Sequence, residues 1–462
     1  MARYKEIGLE QFAVGVIGTR YVGLATGACL ARIGHWVTCV DKDPDLIAEL
    51  RNGGMPFFEP GLEELVARGK SEGRLSFEDG EALAGVVEDS DAVFIAVGTP
   101  QGDDGAPDLS NVAAVARGIG RALAGGRGRE NPLVMVNKST VPVGSGDYVA
   151  ALVREGAGDT EVDFRVVSNP EFLREGSAVH DTLFPDRIVV GFDHPEVGEF
   201  MRRLYGPIIE RSFAQRDEPR GVVPFVATDL ASAEMIKYAA NAFLAVKISF
   251  INEISNLCEI TGADVKSVAT GIGLDERIGS RFLEAGVGWG GSCFPKDVNA
   301  LRATARKNGY EPTLLDAAVT TNDHQRELVV TKLERNLHTL EGKRVALLGL
   351  AFKPGTDDLR ESPSLWIASA LHARGARVVG YDPVVAAARL SPDLEVAADP
   401  YGALSGAHAA VVVTEWEEVV SLDLRRAAAL MSAPRLLVDG RNALDPATVR
   451  ASGLTYEGFG RG

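Results

Sequence analysis

Gly18-Thr19-Arg20-Tyr21-Val22-Gly23 follows an apolar run at residues 12–17 and opens a helical pattern at residues 21–32. A second apolar run, residues 35–40, ends at Asp41. Strand, glycine turn, helix and strand in that order form the unit that binds dinucleotides. The first glycine makes the turn, the second lets the backbone approach a pyrophosphate, and the third seats the helix on the strand. Gly18 and Gly23 fill the first and third places, and Arg20 stands in the second. Asp41 lies 23 positions after Gly18, where an acid accepts the 2′-hydroxyl of an adenine ribose and repels a 2′-phosphate. That favours NAD over NADP, with Lys42 pulling slightly the other way. A structural turn with no ligand is the competing reading of a motif that lacks its middle glycine.

Further strands follow at α/β spacing. Runs at residues 91–97, 133–137 and 164–167 end at Gly98-Thr99-Pro100, Lys138-Ser139-Thr140 and Ser168-Asn169-Pro170. Small and polar residues at strand ends suit the carboxyl edge of a sheet, where such folds bind ligands. One of Ser139 and Thr140 is expected to cap a helix before Pro142, and the other to meet a ligand. Asn169-Pro170-Glu171-Phe172-Leu173-Arg174-Glu175-Gly176 comes next. If Glu171 opens a helical turn, Glu171 and Glu175 share one face and can hold or activate a water. A solvated acidic face is the alternative, although Phe172 and Leu173 argue for partial burial. Another strand begins within residues 186–191.

From Leu230 to about Thr261 there is neither proline nor glycine, which predicts one long helix beginning at Thr228-Asp229. Met235, Ala239, Ala242, Val246 and Phe250 form an apolar stripe suited to a dimer surface. Lys237 and Asn241 project together from another face, with a solvated pair as the plain alternative.

Gly290-Gly291-Ser292-Cys293-Phe294-Pro295-Lys296-Asp297 then sets a cysteine between glycines and a proline-led helix start. A helix N-terminus and a nearby lysine both favour the thiolate, which is the nucleophile. A small buried thiol in a tight turn is the alternative. Helical patterns cover residues 295–307 and about 312–337, and Gly342-Lys343 marks a boundary. A second α/β unit has strands at residues 345–349, 377–381, 409–413 and 436–438. Lys353 lies in its first turn and Arg441 after its last strand, where cations can neutralise phosphates. The predicted fold is α/β: two Rossmann-like doubly wound domains joined by a long central helix. The predicted division is 1–212, 213–325 and 326–462.

The 462 residues suffice for two or three domains, and 45% hydrophobic with 24% charged residues is ordinary for a globular chain. A net charge of −16 argues against nucleic acid as a partner, while leaving room for a local basic pocket that takes an anion. No apolar run reaches membrane-spanning length, and residues 1–10 lack a signal-peptide core. The four cysteines form no CxxC pair and no disulfide framework, which points to a reducing cytoplasm and to no metal site.

These stretches together resemble the UDP-glucose/GDP-mannose dehydrogenase family over residues 14–442. The most specific pieces are the Gly18–Leu24 turn, Ser139-Thr140-Val141-Pro142, Asn169 through Gly176, residues 234–241, Gly290 through Asp297, Phe352-Lys353 and Arg360-Glu361-Ser362. The wording around Cys293 and at Arg277-Ile278-Gly279 is similar to the UDP-glucose branch. The resemblance implies that two NAD+ oxidise the C6 alcohol of UDP-glucose to the carboxylate of UDP-glucuronate. It makes Cys293 the nucleophile that holds the aldehyde as a thiohemiacetal and then a thioester. It assigns Lys237 and Asn241 to the oxyanion, Asp297 and Thr140 to a water, and Glu175 to general-base work. Gly18, Tyr21, Val22, Gly23, Asp41, Thr99, Thr140, Glu175, Lys296 and Arg360 would line the NAD site. Glu171, Phe172, Leu173, Lys237, Asn241, Phe282, Gly290, Lys353 and Arg441 would meet substrate, and Arg277 the substrate of a partner subunit in a homodimer. The departure from the family pattern is Arg20. Two alternatives stand beside this: a dehydrogenase of another substrate, either a different nucleotide sugar or a two-electron one needing no cysteine, and a nucleotide-sugar-binding regulator that has lost catalysis.

Overall fold

Alternation along the first strand decides how its sheet is covered. In β1 (Ala13–Ile17), Val14 and Val16 enter one buried apolar cluster with Leu24, Cys39 and Phe94, while Ile17 enters another with Ile95, Val112 and Val149. Side chains two apart share a face, so a strand apolar at every position must be covered on both sides. The structure is a computed structural model that describes residues 10–102, 105–213, 218–219, 221–392 and 394–461. The reading of the N-terminal ten residues therefore falls almost wholly outside the described residues. The chain forms two compact units, Met1–Ala239 and Ala240–Gly462, whose boundary lies within the long helix.

The first unit's sheet also contains β2 (Trp36–Asp41), β3 (Leu75–Asp79), β4 (Ala92–Ile95), β5 (Leu133–Asn137), β6 (Phe164–Ser168), β7 (Ile188–Gly191) and β8 (Phe225–Thr228). Their order is β3-β2-β1-β4-β5-β6-β7-β8. All neighbours are parallel except β6 and β7. Strand order reverses on either side of β1, so the carboxyl ends of β1 and β4 flank the crevice where such sheets bind ligands. The second unit repeats the plan. It has β9 (Arg344–Leu348), β10 (Arg377–Tyr381), β11 (Glu395–Val396), β12 (Ala409–Val412), β13 (Leu436–Asp439) and β14 (Thr455–Glu457), in the order β11-β10-β9-β12-β13-β14. All pairs in it are parallel. The two Rossmann-like sheets and the helix Leu230–Thr261 are as the sequence predicts.

Three expectations fail locally. Residues 169–177 form no helix, so Glu171 and Glu175 do not share a helical face. Proline at 170 and glycine at 176 bracket the segment. Its backbone is tied elsewhere: Leu173 N donates to Glu171 Oε2 at 3.0 Å, and Arg174 N to Asp181 Oδ2 at 2.9 Å. Neither Ser139 nor Thr140 caps a helix. The next helix starts at Ser145 after Gly144, whose φ is +93°. Its N-terminus is capped from far away by Glu234, which accepts from Gly144 N at 2.7 Å and Gly146 N at 2.9 Å. The apolar stripe of the long helix is also rotated from the predicted set. Ala242 is buried, and Phe243, 65% exposed, joins Met235, Ala239 and Phe250 on the outward face.

Candidate active site

The glycine turn is built by close approach. Gly18 has a φ of +97°, and a Cβ there would stand 2.6 Å from the Ala96 carbonyl oxygen. A Cβ on Gly23 would lie 1.8 Å from Gly18 O, so only glycine lets the helix Tyr21–Arg32 seat on the strand end. Arg20 has a φ of −80°, which needs no glycine, and its guanidinium turns outward to Asp43 at 3.8 Å with 77% exposure. The backbone path of the turn thus survives the missing glycine. Asp41 Oδ2 accepts from Thr19 N at 2.7 Å and from Thr19 Oγ1 at 3.1 Å, which fixes its carboxylate beside the turn. Lys42 is drawn aside onto Asn111 Oδ1 at 3.0 Å. A tight turn, a helix N-terminus and an anchored acid at the end of β2 fit a dinucleotide. Val22 is half-buried on that helix.

Tyr21 braces the neighbouring loop. Its ring lies 4.6 Å from Phe57, its hydroxyl meets Glu59, and it accepts from Gly176 N at 2.9 Å. Burial, with Glu59 next, pushes the phenol well above its usual range. Glu59 also accepts from Gly176 N and Ala178 N, each at 2.7 Å, and so holds the loop that carries buried Glu175. The Phe57-Phe58-Glu59-Pro60 context was the available signal that this acid is not a surface one.

Lys237 is 4% exposed and donates at 2.8 Å both to Glu171 Oε1 and to Glu171 O. Phe172 carries Arg187 over its ring at 3.9 Å and Lys237 at 5.6 Å. Leu173 beside it is half-buried. Thr99 Oγ1 donates to Thr140 O at 2.8 Å, and Ser139 Oγ donates to Val97 O at 2.8 Å, pinning the loop after β5. Thr140, Lys237 and Glu234 line one small cavity with Asn137 and Ser168. Burial raises the Glu234 carboxyl against the backbone N–H groups and the Ser168 hydroxyl that hold it. On a helix pattern alone, Glu234 is indistinguishable from a surface acid.

In the second unit, Cys293 precedes the helix Phe294–Lys307, with Pro295 in its first turn. Of the four free cysteines it is the one not fully buried. Burial pushes the thiols of Cys29 and Cys39 up to about 12, which leaves them inert packing groups. Asp297, 1% exposed, accepts from Asn241 Nδ2 and from Lys296 Nζ, both at 2.6 Å. Amide, carboxylate and ammonium thus converge one helical turn from Cys293. A Cβ on Gly290 would be 2.1 Å from Glu361 O, and Gly291, φ +84°, packs on Phe352. Gly291 N donates to Arg360 O at 3.1 Å, while the Arg360 side chain forks onto Asp358. Arg441 donates to Val413 O at 2.6 Å and to Phe352 O at 3.1 Å, and so ties the strand-end loops together. Lys353 Nζ lies 5.5 Å from the Phe352 ring. Phe282, φ +62°, faces Phe294 at 6.3 Å between ring centroids. Arg277 is 89% exposed and forks onto Asp275, away from the cysteine cluster's hydrogen bonds.

Two doubly wound units, the first with a dinucleotide turn, define the class of NAD-binding oxidoreductases. The chain belongs to the UDP-glucose/GDP-mannose dehydrogenase family: residues 12–209 match its NAD binding domain, 231–324 its central domain and 346–446 its UDP binding domain. A UDP-glucose 6-dehydrogenase of Rhizobium meliloti is 46% identical, covering 97% of this chain and 99% of that one. UDP-glucose 6-dehydrogenase TuaD of Bacillus subtilis is 44% identical, over 97% and 93%. The solved UDP-glucose dehydrogenase of Pyrobaculum islandicum is 38% identical with a TM-score of 0.88, over 98% and 99%.

Proposed function

We propose that this chain is an NAD-dependent UDP-glucose 6-dehydrogenase, oxidising the C6 alcohol of UDP-glucose to the carboxylate of UDP-glucuronate. The observation that carries the reading is the partly exposed Cys293 at a helix start, one turn from Asp297 with its Asn241 and Lys296 partners. Full-length relatives named for this activity support it. The division 1–212, 213–325 and 326–462 is retained as the working domain assignment.

NAD, when bound, supplies the hydride acceptor for both oxidations. Gly18, Val22 and Gly23 would hold its pyrophosphate, Asp41 its adenine ribose, and Thr99 and Thr140 would line its site. Tyr21, Glu175, Lys296 and Arg360 complete the proposed set. The chain's own residues do the rest. Cys293 thiolate attacks the C6 aldehyde, forming a C–S bond, and the resulting hemithioacetal oxygen is held by Lys237 and Asn241. Loss of the second hydride leaves a thioester. Water, oriented by Asp297 and Thr140 and deprotonated by Glu175, adds to the thioester carbon, and the C–S bond breaks to return thiolate. Lys353 and Arg441 would face the diphosphate, and Glu171, Phe172, Leu173, Phe282 and Gly290 the sugar and nucleotide.

NADH formation with UDP-glucose, GDP-mannose and UDP-N-acetyl sugars tests specificity. UDP-glucose is expected to exceed the others by at least about 100-fold in kcat/KM, because a site built to pair a hydroxyl discriminates strongly. A comparable rate with GDP-mannose would refute the substrate assignment. The exposed stripe of Met235, Ala239, Phe243 and Phe250 supports a homodimer in which Arg277 reaches the partner's substrate. Sedimentation equilibrium reading a monomer at micromolar protein would end that part of the proposal.

A further inference from the structure

Lys138 is a buried cation that the chemistry above does not use. Its side chain is 8% exposed at the end of β5, and no carboxylate lies within ion-pair distance of it among the described residues. Its Nζ donates to Asn169 Oδ1 at 3.1 Å and to the Tyr205 hydroxyl at 3.4 Å. Tyr205 donates in turn to Asn169 Oδ1 at 2.6 Å, and Asn169 Nδ2 to Val189 O at 2.7 Å. Asn169 is 1% exposed and Tyr205 5%, so the network is dry. Asn169 stands two residues before Glu171, the acid that holds Lys237. Burying an ammonium without a carboxylate is costly, and structures retain such groups where they act.

We propose that Lys138 is a positioning residue: through Asn169 it sets the segment that brings Glu171 onto Lys237, and its charge is coupled to that pair. The proposal rests on the functional reading only for its kinetic consequences. The groups facing Lys138 are Asn169 and Glu171 after β6, Tyr205 after the helix Pro195–Leu204, and Lys237 on the long helix. Burial first, opposed by Glu171 and aided by Lys237, lowers its ammonium to about 8. The charge is therefore present below about pH 8 and lost above it.

Lysine carbon-13 NMR, with the Lys138 signal assigned by its absence in Lys138→Met, reads this without substrate. The signal is expected to titrate near pH 8 in the unaltered protein and at higher pH in Lys237→Met, where the like charge is gone. Tyr205→Phe keeps the ring but removes an acceptor, so titration there should move to lower pH. In turnover, Lys138→Met is expected to lose roughly 10- to 100-fold in kcat with KM for UDP-glucose within about threefold, and to lose the alkaline fall in kcat. A Lys138 signal that titrates above pH 10, or is unmoved by both neighbouring substitutions, overturns the proposal whatever the enzyme's activity. So does a folded Lys138→Met with unaltered kcat and pH profile in an active enzyme. Absence of UDP-glucose oxidation by the unaltered protein would instead refute the functional reading, leaving the NMR result to decide the proposal.

Discussion

Cys293→Ser is expected to reduce UDP-glucuronate formation by at least about 1,000-fold, because removing a covalent nucleophile removes the intermediate and not merely a contact. Serine keeps the small side chain at the start of the helix Phe294–Lys307, so the fold and the Asn241–Asp297–Lys296 cluster are expected to persist. A hydroxyl has far too high a pKa to be ionised by a helix N-terminus. Any ester it formed would hydrolyse more slowly than a thioester. NAD affinity is expected to stay within about twofold, since the dinucleotide turn lies in the other unit. Chromatography of the sugar nucleotides after long incubation measures the loss. Carboxylate formation within tenfold of the unaltered enzyme would overturn the role given to Cys293.

Lys237→Met is expected to produce the second large effect, about 100- to 1,000-fold in kcat, the range seen when one preorganised oxyanion donor is removed. Methionine nearly keeps the volume of the side chain, so the loss is chiefly of the charge and its donors. A structural effect accompanies it. Glu171 is 8% exposed and would lose its ammonium partner at 2.8 Å, and breaking a buried pair destabilises by about 3–5 kcal/mol. Lys237→Met with Glu171→Gln removes the orphaned charge. The double variant is therefore expected to regain thermal stability while staying catalytically poor. Steady-state kinetics and thermal melts of the three variants separate the two effects. If the double variant recovers turnover along with stability, Lys237 acts only through the fold.

How much of this was legible in the chain depended on whether a residue's partner was near in sequence. The turn at Gly18 and the helix Leu230–Thr261 could be read because glycine spacing and the absence of breakers act locally. Both Rossmann-like units are legible for the same reason, although β3, β8, β11 and β14 are not. Cys293 at a helix start was predicted from Pro295, and the structure places it there. The conditional helical turn at Glu171 fails because the anchors of the Asn169–Gly176 stretch are remote: Glu59 holds it from 117 positions away and Lys237 from 66. Lys237 and Asn241 were correctly paired on one helix, but their burial and their separate carboxylate partners came from packing alone. Glu234 is not legible as a cap, because its donors lie 88 and 90 positions earlier. In sequence Lys138 is one residue of a strand end, and only the closed ring of Asn169 and Tyr205 reveals it as a buried cation. Arg20 was the one feature that set the dinucleotide motif in question, and its negative φ and outward side chain answer for the backbone.

The proposed reaction is a four-electron oxidation completed on one cysteine. Counting NADH formed per UDP-glucose consumed, with the sugar limiting and NAD in excess, tests it most directly. Two NADH are expected for each UDP-glucose, with no free aldehyde accumulating. One NADH per sugar, with the aldehyde released, would contradict it.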